Sequence, residues 1–328
     1  MAPIPSDPPT AGDGARLGPV VADLDRPRAG DPVTLAVVAD PHLAVVHTGT
    51  WKVLHRTEAR LRRALDIARG VSRGFDGTDA VVFAGDQTHD GRKTEAGRFD
   101  ELAAGLDQPW TAVPGNHDVP KAFDDHEGVA LSALRRRYAG DAAAVESGDS
   151  YPLVLRVGGV RIVCLNTAAP PDVDLAETWG GAVGPEQLER LRTALAEDPE
   201  APTVVVAHHN LEPLPEHEPA YPWDRFPADD AGALSAVLSD NNVPLAVTGH
   251  HHVPAVRDHG DLTELMAPAA CSFPQAMLTV RVGPDGTRVR FVPLAGPDGI
   301  CEAYWHAENG TRLGRGVLDL TRTRVARF

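Results

Sequence analysis

Residues 33–42 read VTLAVVADPH, and this stretch decides the fold. Its apolar part is continuous and rich in β-branched side chains, which is typical of a strand buried on both faces. Pro41 has no backbone N–H, so the strand cannot continue beyond it. The stretch therefore predicts a buried strand that ends by presenting Asp40 and His42, two side chains able to bind a metal ion.

The same arrangement, an apolar run followed by polar residues, recurs along the chain. It predicts further buried strands at residues 80–84, 111–113, 203–207 and 245–248. The polar residues that follow these runs are Asp86, Asn116, His208, His250 and His252. Apolar residues at helical spacing predict helices over residues 51–71, 95–106, 185–195 and 230–239. This alternation predicts a layered α/β domain with polar side chains at the carboxyl ends of its strands.

Other segments complete the outline. Residues 211–228 are rich in proline and predict an irregular loop near the site. The C-terminal stretch of about 50 residues predicts strands that finish a second sheet. There is no internal repeat and no clear linker, so we expect a single domain over residues 31–328. Residues 1–30 are expected to form a partly mobile N-terminal segment.

The composition indicates a globular protein with an acidic surface. The chain has 328 residues, of which 42% are hydrophobic, and its formal net charge is −15. This charge argues against nucleic acid as a partner, because proteins bind nucleic-acid phosphates through positively charged surfaces. Three cysteines are an odd number without zinc-site spacing, so disulfides are not expected to organise the fold. Residues 1–30 lack an export signal, and no run approaches the ~20 apolar residues of a membrane span. We therefore expect a cytoplasmic protein with no membrane partner; its oligomeric state stays open.

The side chains at the predicted strand ends suit metal ions. Seven oxygen and imidazole ligands exceed the roughly four of a closed single-metal site, so they suit two divalent or mixed-valence ions. Two divalent ions carry roughly +4 and the two aspartates −2, which leaves about +2 to attract a phosphate ester. Ligands of this kind accept Fe, Mn or Zn, so the sequence does not identify the metals.

The order of these residues resembles a known family, the calcineurin-like metallophosphoesterases. That family carries the pattern D-x-H, G-D, G-N-H-[DE], H and G-H-x-H. The matching series spans residues 40–252 and consists of Asp40-x-His42, Gly85-Asp86, Gly115-Asn116-His117-Asp118, His208 and Gly249-His250-x-His252. Within the family, the chain looks most like the branch of cyclic-nucleotide and glycerophosphodiester phosphodiesterases. The resemblance implies a four-layer α/β/β/α sandwich, in which two facing mixed sheets carry a binuclear metal site at their edge.

The resemblance also implies a ligand set. The first metal would be bound by Asp40, His42 and His252, and the second by Asn116, His208 and His250. Asp86 would bridge the two ions. We expect His208 rather than its neighbour to be the ligand, because it lies nearer the end of the strand. His251 is left out, since alternate residues of an extended segment face opposite sides.

Other residues are expected to act on the substrate. His117 would stabilise the transition state or protonate the leaving oxygen, and Asp118 would orient it. Substrate contacts are expected at His89, Arg92, His209 and Asn210.

The resulting prediction is a phosphodiesterase for a small or nucleotide-like phosphoester, which uses a hydroxide held by two metals. A phosphomonoesterase acting on a small phosphorylated metabolite is the alternative, because the same centre serves both reactions. A nuclease and a non-catalytic binding scaffold are the remaining alternatives. The negative net charge argues against a nuclease, and the complete ligand set argues against a non-catalytic scaffold.

Overall fold

The computed structural model describes residues 18–45, 50–72, 74–122, 127–144, 151–214, 223 and 226–325. Two mixed sheets form its centre. The strands of the first sheet lie in the order β1 (Val20–Leu24), β13 (Gly286–Pro293), β12 (Ala276–Gly283), β2 (Val33–Val38), β3 (Ala80–Phe83) and β4 (Trp110–Ala112). Those of the second lie in the order β10 (Ala255–Asp258), β11 (Thr263–Met266), β9 (Leu245–Thr248), β8 (Thr203–Val206), β7 (Val160–Cys164), β6 (Leu153–Val157) and β5 (Ala143–Ala144).

The strands that precede the predicted ligands are parallel within each sheet. In the first sheet β2, β3 and β4 pair in parallel, and in the second β7, β8, β9 and β11 do so. Carboxyl ends of parallel strands meet at one edge of a sheet. The pairing therefore brings the predicted ligands of each sheet to a common edge.

Strand β2 shows why its sequence is apolar throughout. Leu35 and Val37 point into the core between the two sheets, where they meet residues such as Ile162 of β7. Ala36 and Val38 point the other way, into a second core beneath the helices. A central strand with both faces covered has no position for a polar side chain.

Helices cover the outer face of each sheet. The seven helices in the described part of the chain are α1 (Thr57–Ala68), α2 (Lys93–Ala103), α3 (Leu131–Tyr138), α4 (Pro185–Ala196), α5 (Ala231–Asp240), α6 (Pro297–Glu308) and α7 (Arg312–Val325). Apolar residues of α1, α2 and α3 pack on the first sheet, and those of α4 and α5 pack on the second. The result is the four-layer α/β/β/α sandwich that the family resemblance implied.

Two sequence predictions need correction. The helix expected from residue 51 begins only at Thr57, after a 3-10 helix at Leu54–Arg56. Val53 has a left-handed φ of 49°, so an α-helix cannot run through it. The segment before it forms a turn instead, and this turn carries two residues of the site.

The C-terminal stretch was also predicted wrongly. Strands β12 and β13 complete the first sheet rather than the second, and α6 and α7 follow them. Glycines disfavour helices, and α7 contains Gly314 and Gly316. A side chain at Gly314 would collide with the Trp51 ring, and one at Gly316 would collide with Trp223. Close packing on two tryptophans therefore explains a sequence that does not look helical.

The remaining expectations concern the N-terminus and the proline-rich loop. Strand β1 pairs with β13, so residues 20–24 belong to the first sheet. Residues 1–17 lie outside the described part, and so do most residues of loop 211–228. The division into residues 1–30 and 31–328 stays a prediction. None of the described helices is long and apolar enough to cross a membrane.

Candidate metal centre

The predicted ligands converge where the two sheets meet at one edge. The loop after β2 is joined to the loop after β3, since Asp40 N–H donates to the Gly85 carbonyl over 3.1 Å and His42 N–H to the Asp86 carbonyl over 2.9 Å. In the second sheet, Gly249 N–H donates to the His208 carbonyl over 3.0 Å. Backbone hydrogen bonds thus hold the ligand-bearing loops of each sheet against one another.

The backbone at these positions has an unusual conformation. Eight described non-glycine residues have a positive φ, and five of them are predicted ligands. The five are Asp40 (49°), His42 (41°), Asp86 (53°), His250 (65°) and His252 (61°). Such a conformation costs of order 1–3 kcal/mol per residue and persists only where the surroundings impose it. It aims these side chains at one point, as expected of a functional site.

The Asp86 carboxylate lies between two imidazoles. Its Oδ2 is 3.3 Å from His42 Nε2, and its Oδ1 is 3.4 Å from His208 Nε2. Further out, His252 Nε2 lies 3.3 Å from Asp40 Oδ1, and Asn116 Oδ1 lies 3.1 Å from His208 Nε2. This arrangement gives Asp86 one oxygen for each half of the cluster, as a bridging ligand requires.

The hydrogen bonds of His208 show that the cluster calls for a cation. Its Nδ1 lies 2.9 Å from the Ala84 carbonyl, which can only accept, so Nδ1 carries a proton. In the neutral ring Nε2 then has a lone pair, and this lone pair faces the oxygens of Asp86 and Asn116. Lone pairs directed at one another are unfavourable unless a positive charge lies between them. A metal ion fits this donor set.

Charges in the cluster support the same conclusion. Burial disfavours the imidazolium form of His208, yet Asp86 raises the pKa of His208 to about 9. Burial lowers the pKa of His42 and of His250 well below the usual value, so both rings are neutral and able to bind metal. Burial opposes ionisation of Asp86, but the neighbouring imidazoles, His208 foremost, hold its pKa well below the usual range.

His117 lies beside the cluster and lines the cavity above it. Its Nδ1 donates to the His89 carbonyl over 2.7 Å, which leaves Nε2 on the side of Lys52 Nζ, 3.1 Å away. Asp118 does not orient His117 in the way the sequence suggested. The Asp118 carboxylate accepts hydrogen bonds from Thr88 and from the backbone of Gly115 instead. Asp118 therefore holds the loop after β3 against the loop after β4, and the His89 carbonyl orients the His117 imidazole.

The predicted substrate contacts are only partly placed at the site. His89 lines the cavity, and its ring stacks on His117 with centroids 5.6 Å apart. Arg92 does not line it and forms an ion pair with Asp90 over 2.8 Å. His209 is buried, with Thr167 Oγ 2.8 Å from Nδ1 and the Trp179 carbonyl 3.1 Å from Nε2.

Asn210 is buried as well and does not line the cavity. Its amide donates to Thr248 Oγ over 2.8 Å and to the Gly249 carbonyl over 3.0 Å, and so braces the loop that carries His250. His209 and Asn210 are therefore buried on the side of the site that faces away from the cavity, where they stabilise the segment that carries His208.

A cavity of about 410 Å³ opens above the cluster. Several of its lining residues were missed in the sequence, namely Thr50, Trp51, Lys52, Trp179, Phe226, Thr311, Leu313 and Val317. His251 lines the cavity too, although the sequence argument directed it to the opposite side from His250 and His252. Trp51 lies against His252 with ring centroids 5.1 Å apart, and Phe226 lies 4.8 Å from His250. Trp51 was missed because the predicted helix over residues 51–71 included it, and the helix α7 that supplies Leu313 and Val317 was not recognised.

Together, the fold and the site define a class. Two facing mixed sheets that bring aspartate, asparagine and histidine side chains to one edge are typical of α/β metallohydrolases that act on phosphoesters. The sequence matches the profile of calcineurin-like phosphoesterases over residues 33–254. The chain belongs to the calcineurin-like phosphoesterase family and is a phosphoric ester hydrolase.

Curated relatives include cyclic-nucleotide enzymes. The 3',5'-cyclic adenosine monophosphate phosphodiesterase CpdA of Escherichia coli K12 is 27% identical over 258 residues, which are 76% of this chain and 80% of that protein. A probable cyclic nucleotide phosphodiesterase of Synechococcus is 25% identical over 272 residues, 79% of this chain and 92% of that protein.

Two solved structures also match most of the chain, at lower sequence identity. The phosphopantetheinyl hydrolase of Mycobacterium tuberculosis is 14% identical, with a TM-score of 0.47, and the match covers 74% of this chain and 91% of that one. TT1561 of Thermus thermophilus is 13% identical, with a TM-score of 0.47 and coverage of 75% and 93%.

Proposed function

We propose that this chain hydrolyses phosphodiesters of small, nucleotide-like molecules with two divalent metal ions. The observation that carries the proposal is the convergence of seven buried donor side chains beneath a cavity of about 410 Å³. A cavity of this size suits a ligand of nucleotide dimensions. The two cyclic-nucleotide relatives support the same substrate class.

The geometry supports one division of the ligands. Asp40, His42 and His252 would hold one metal, Asn116, His208 and His250 would hold the other, and Asp86 would bridge them. When bound, such metals lower the pKa of water towards neutrality and polarise phosphoryl oxygens. The protein's part is to present neutral imidazoles and ionised carboxylates. The pKa directions given above favour neutral His42 and His250 and an ionised Asp86, whereas His208, whose pKa is raised to about 9, would release a proton when a metal ion binds.

His117 is the proposed proton donor or stabiliser at the substrate. It lines the cavity without belonging to the donor set, and its ring is fixed through Nδ1 by the His89 carbonyl. Because Nδ1 is engaged, Nε2 is the nitrogen that can serve the leaving oxygen or a phosphoryl oxygen. Trp179 stacks on the ring with centroids 5.0 Å apart and limits its rotation.

The walls of the cavity support a nucleotide-like substrate. Trp51, Trp179 and Phe226 line it together with the apolar side chains of Leu313 and Val317 from α7. Apolar and aromatic walls of this kind suit the base of a nucleotide, while the donor set beneath receives the phosphate. A small metabolite without an apolar group would leave these walls unused.

A substrate screen tests the proposal. The metal-loaded chain is assayed with bis-p-nitrophenyl phosphate, cyclic nucleotides, glycerophosphodiesters and phosphomonoesters, and kcat/KM is compared across them. We expect the highest value for a diester that carries a base. Higher values for monoesters would favour the phosphomonoesterase, and absence of turnover with Mn, Fe, Co and Zn would favour the scaffold.

A further inference from the structure

Lys52 lies in the site, although no motif includes it. It belongs to the turn before α1, where Lys52 N–H is 3.2 Å from Thr50 Oγ and Val53 N–H donates to the Thr50 carbonyl over 2.9 Å. The neighbouring ring of Trp51 packs against Gly314 of α7. The turn is thus fixed from both sides, and it delivers the lysine to the cavity rather than to solvent.

The ammonium group of Lys52 has unusual neighbours. Nζ lies 3.1 Å from His117 Nε2 and 3.4 Å from His42 Nδ1, and the side chain is only 9% exposed. Within the described residues, no carboxylate oxygen lies within 4.0 Å of Nζ. Burying an ammonium without a paired anion costs several kcal/mol. Such a group is therefore suited to receive an anion from outside the protein.

The protonation of the two imidazoles indicates which contact persists. His117 Nδ1 carries the proton donated to the His89 carbonyl, so His117 Nε2 accepts from Lys52. A metal on His42 Nε2 requires the proton of that ring to be on Nδ1, and Nδ1 then cannot accept from Lys52. Lys52 keeps one hydrogen bond, to His117, and two of its three N–H groups remain for a ligand.

We propose that Lys52 is a phosphate-binding residue, whose ammonium group contacts a non-bridging oxygen of the phosphoryl group. This assignment rests on the proposed function, because it places the phosphorus above the predicted metal ligands. The lysine adds a positive charge to the roughly +2 expected of the metal centre, so a phosphoryl oxyanion is its natural ligand. The hydrogen bond to His117 Nε2 holds the ammonium group at the wall of the cavity.

Binding of inorganic phosphate to the metal-loaded full chain tests this role. Lys52→Met keeps most of the length of the side chain and removes the charge, whereas Lys52→Arg keeps the charge. We expect phosphate to bind roughly 10- to 100-fold more weakly to Lys52→Met by calorimetry, and Lys52→Arg to recover part of the loss. Lys93→Gln, which changes a lysine in the first turn of α2 outside the cavity, is the matched control and should bind as the wild type does.

The metal content of the variants shows whether Lys52 affects phosphate binding directly or through loss of metal. Both Lys52 variants should retain the wild-type metal content, because Lys52 is not a ligand. Unchanged phosphate affinity in Lys52→Met, or loss of metal from both variants, would overturn the assignment. Phosphate binding needs no turnover, so a wild-type chain that binds phosphate through Lys52 but hydrolyses no phosphoester would refute the proposed function and leave the lysine's role intact.

Discussion

Glu264→Ala is expected to lower both the stability of the fold and the affinity for metal. Glu264 lies on β11 and is fully buried. Its Oε1 accepts hydrogen bonds from Leu211 N–H over 3.0 Å and from Thr248 Oγ over 2.7 Å. Leu211 follows the segment that carries His208, and Thr248 precedes the segment that carries His250. One carboxylate oxygen thus connects two ligand-bearing loops.

The size of the effect follows from these contacts. Alanine leaves two buried donors without their acceptor, at about 1–3 kcal/mol each, so the free energy of unfolding should fall by about 2–6 kcal/mol. Loss of such supporting hydrogen bonds typically weakens metal binding about 10- to 100-fold. Glutamine retains an oxygen that can accept both inner hydrogen bonds. Its amide group would face only His259, whose Nε2 lies 3.3 Å from Oε2, so we expect a loss below about 1 kcal/mol.

Urea unfolding of the metal-free chain and competition with a chromophoric chelator measure the two effects separately. Glu212→Gln is the surface control, since Glu212 pairs with Arg257 and also with His259 but is 52% exposed. This variant should leave stability and metal affinity close to the wild-type values. Equal losses in the alanine and glutamine variants of Glu264, or a loss below about 1 kcal/mol in the alanine variant, would refute the bracing role.

Three further predictions concern the site and the surface. Asp86→Ala should remove at least one metal and nearly all turnover; a full complement by elemental analysis would contradict the bridging role. His117→Ala should retain metal and lose rate chiefly with poor leaving groups, so equal losses across a leaving-group series would exclude a proton donor. Hydrogen bonds from Arg98 lower the pKa of Glu58 to about 2 from its ordinary 4.5. The stability that Glu58 contributes should be present above pH 4.5 and lost as the pH falls towards 2, so thermal melting of Glu58→Gln should differ from wild type at pH 7 and converge with it near pH 2.

The convergence of the candidate ligands could be predicted because local sequence determines where each of them lies. Each follows a strand that is buried on both faces, and such a strand produces a continuous apolar run. The roles of Asp118 and Asn210 could not be predicted in this way. Their partners are Thr88, in the loop after β3, and Thr248, the last residue of β9. These residues meet Asp118 and Asn210 only after the strands pair, so the sequence around each residue contains no sign of the contact.

The turn at Lys52 escaped prediction for a different reason. Apolar spacing continues from the turn into α1, so the pattern alone indicates one long helix from residue 51. The turn is imposed by packing between Trp51 and α7. Helix α7 itself was not predicted, because its glycines are unfavourable in helices. One wall of the cavity therefore depends on a contact between residues far apart in the chain, which a local pattern cannot reveal.

The close approach of the two sheets explains why a glycine precedes Asp86. A side chain at Gly85 would collide with the His208 imidazole, which comes from the other sheet. Gly85 also has a φ of 97°, so glycine is needed both for this backbone conformation and for the close approach of His208. Because Asp86 and other ligands also adopt strained backbone conformations, neither loop would hold its geometry alone. The donor set is therefore a property of the sheet pair, and the two sheets must be fully packed before a bridging carboxylate can face both halves of the site.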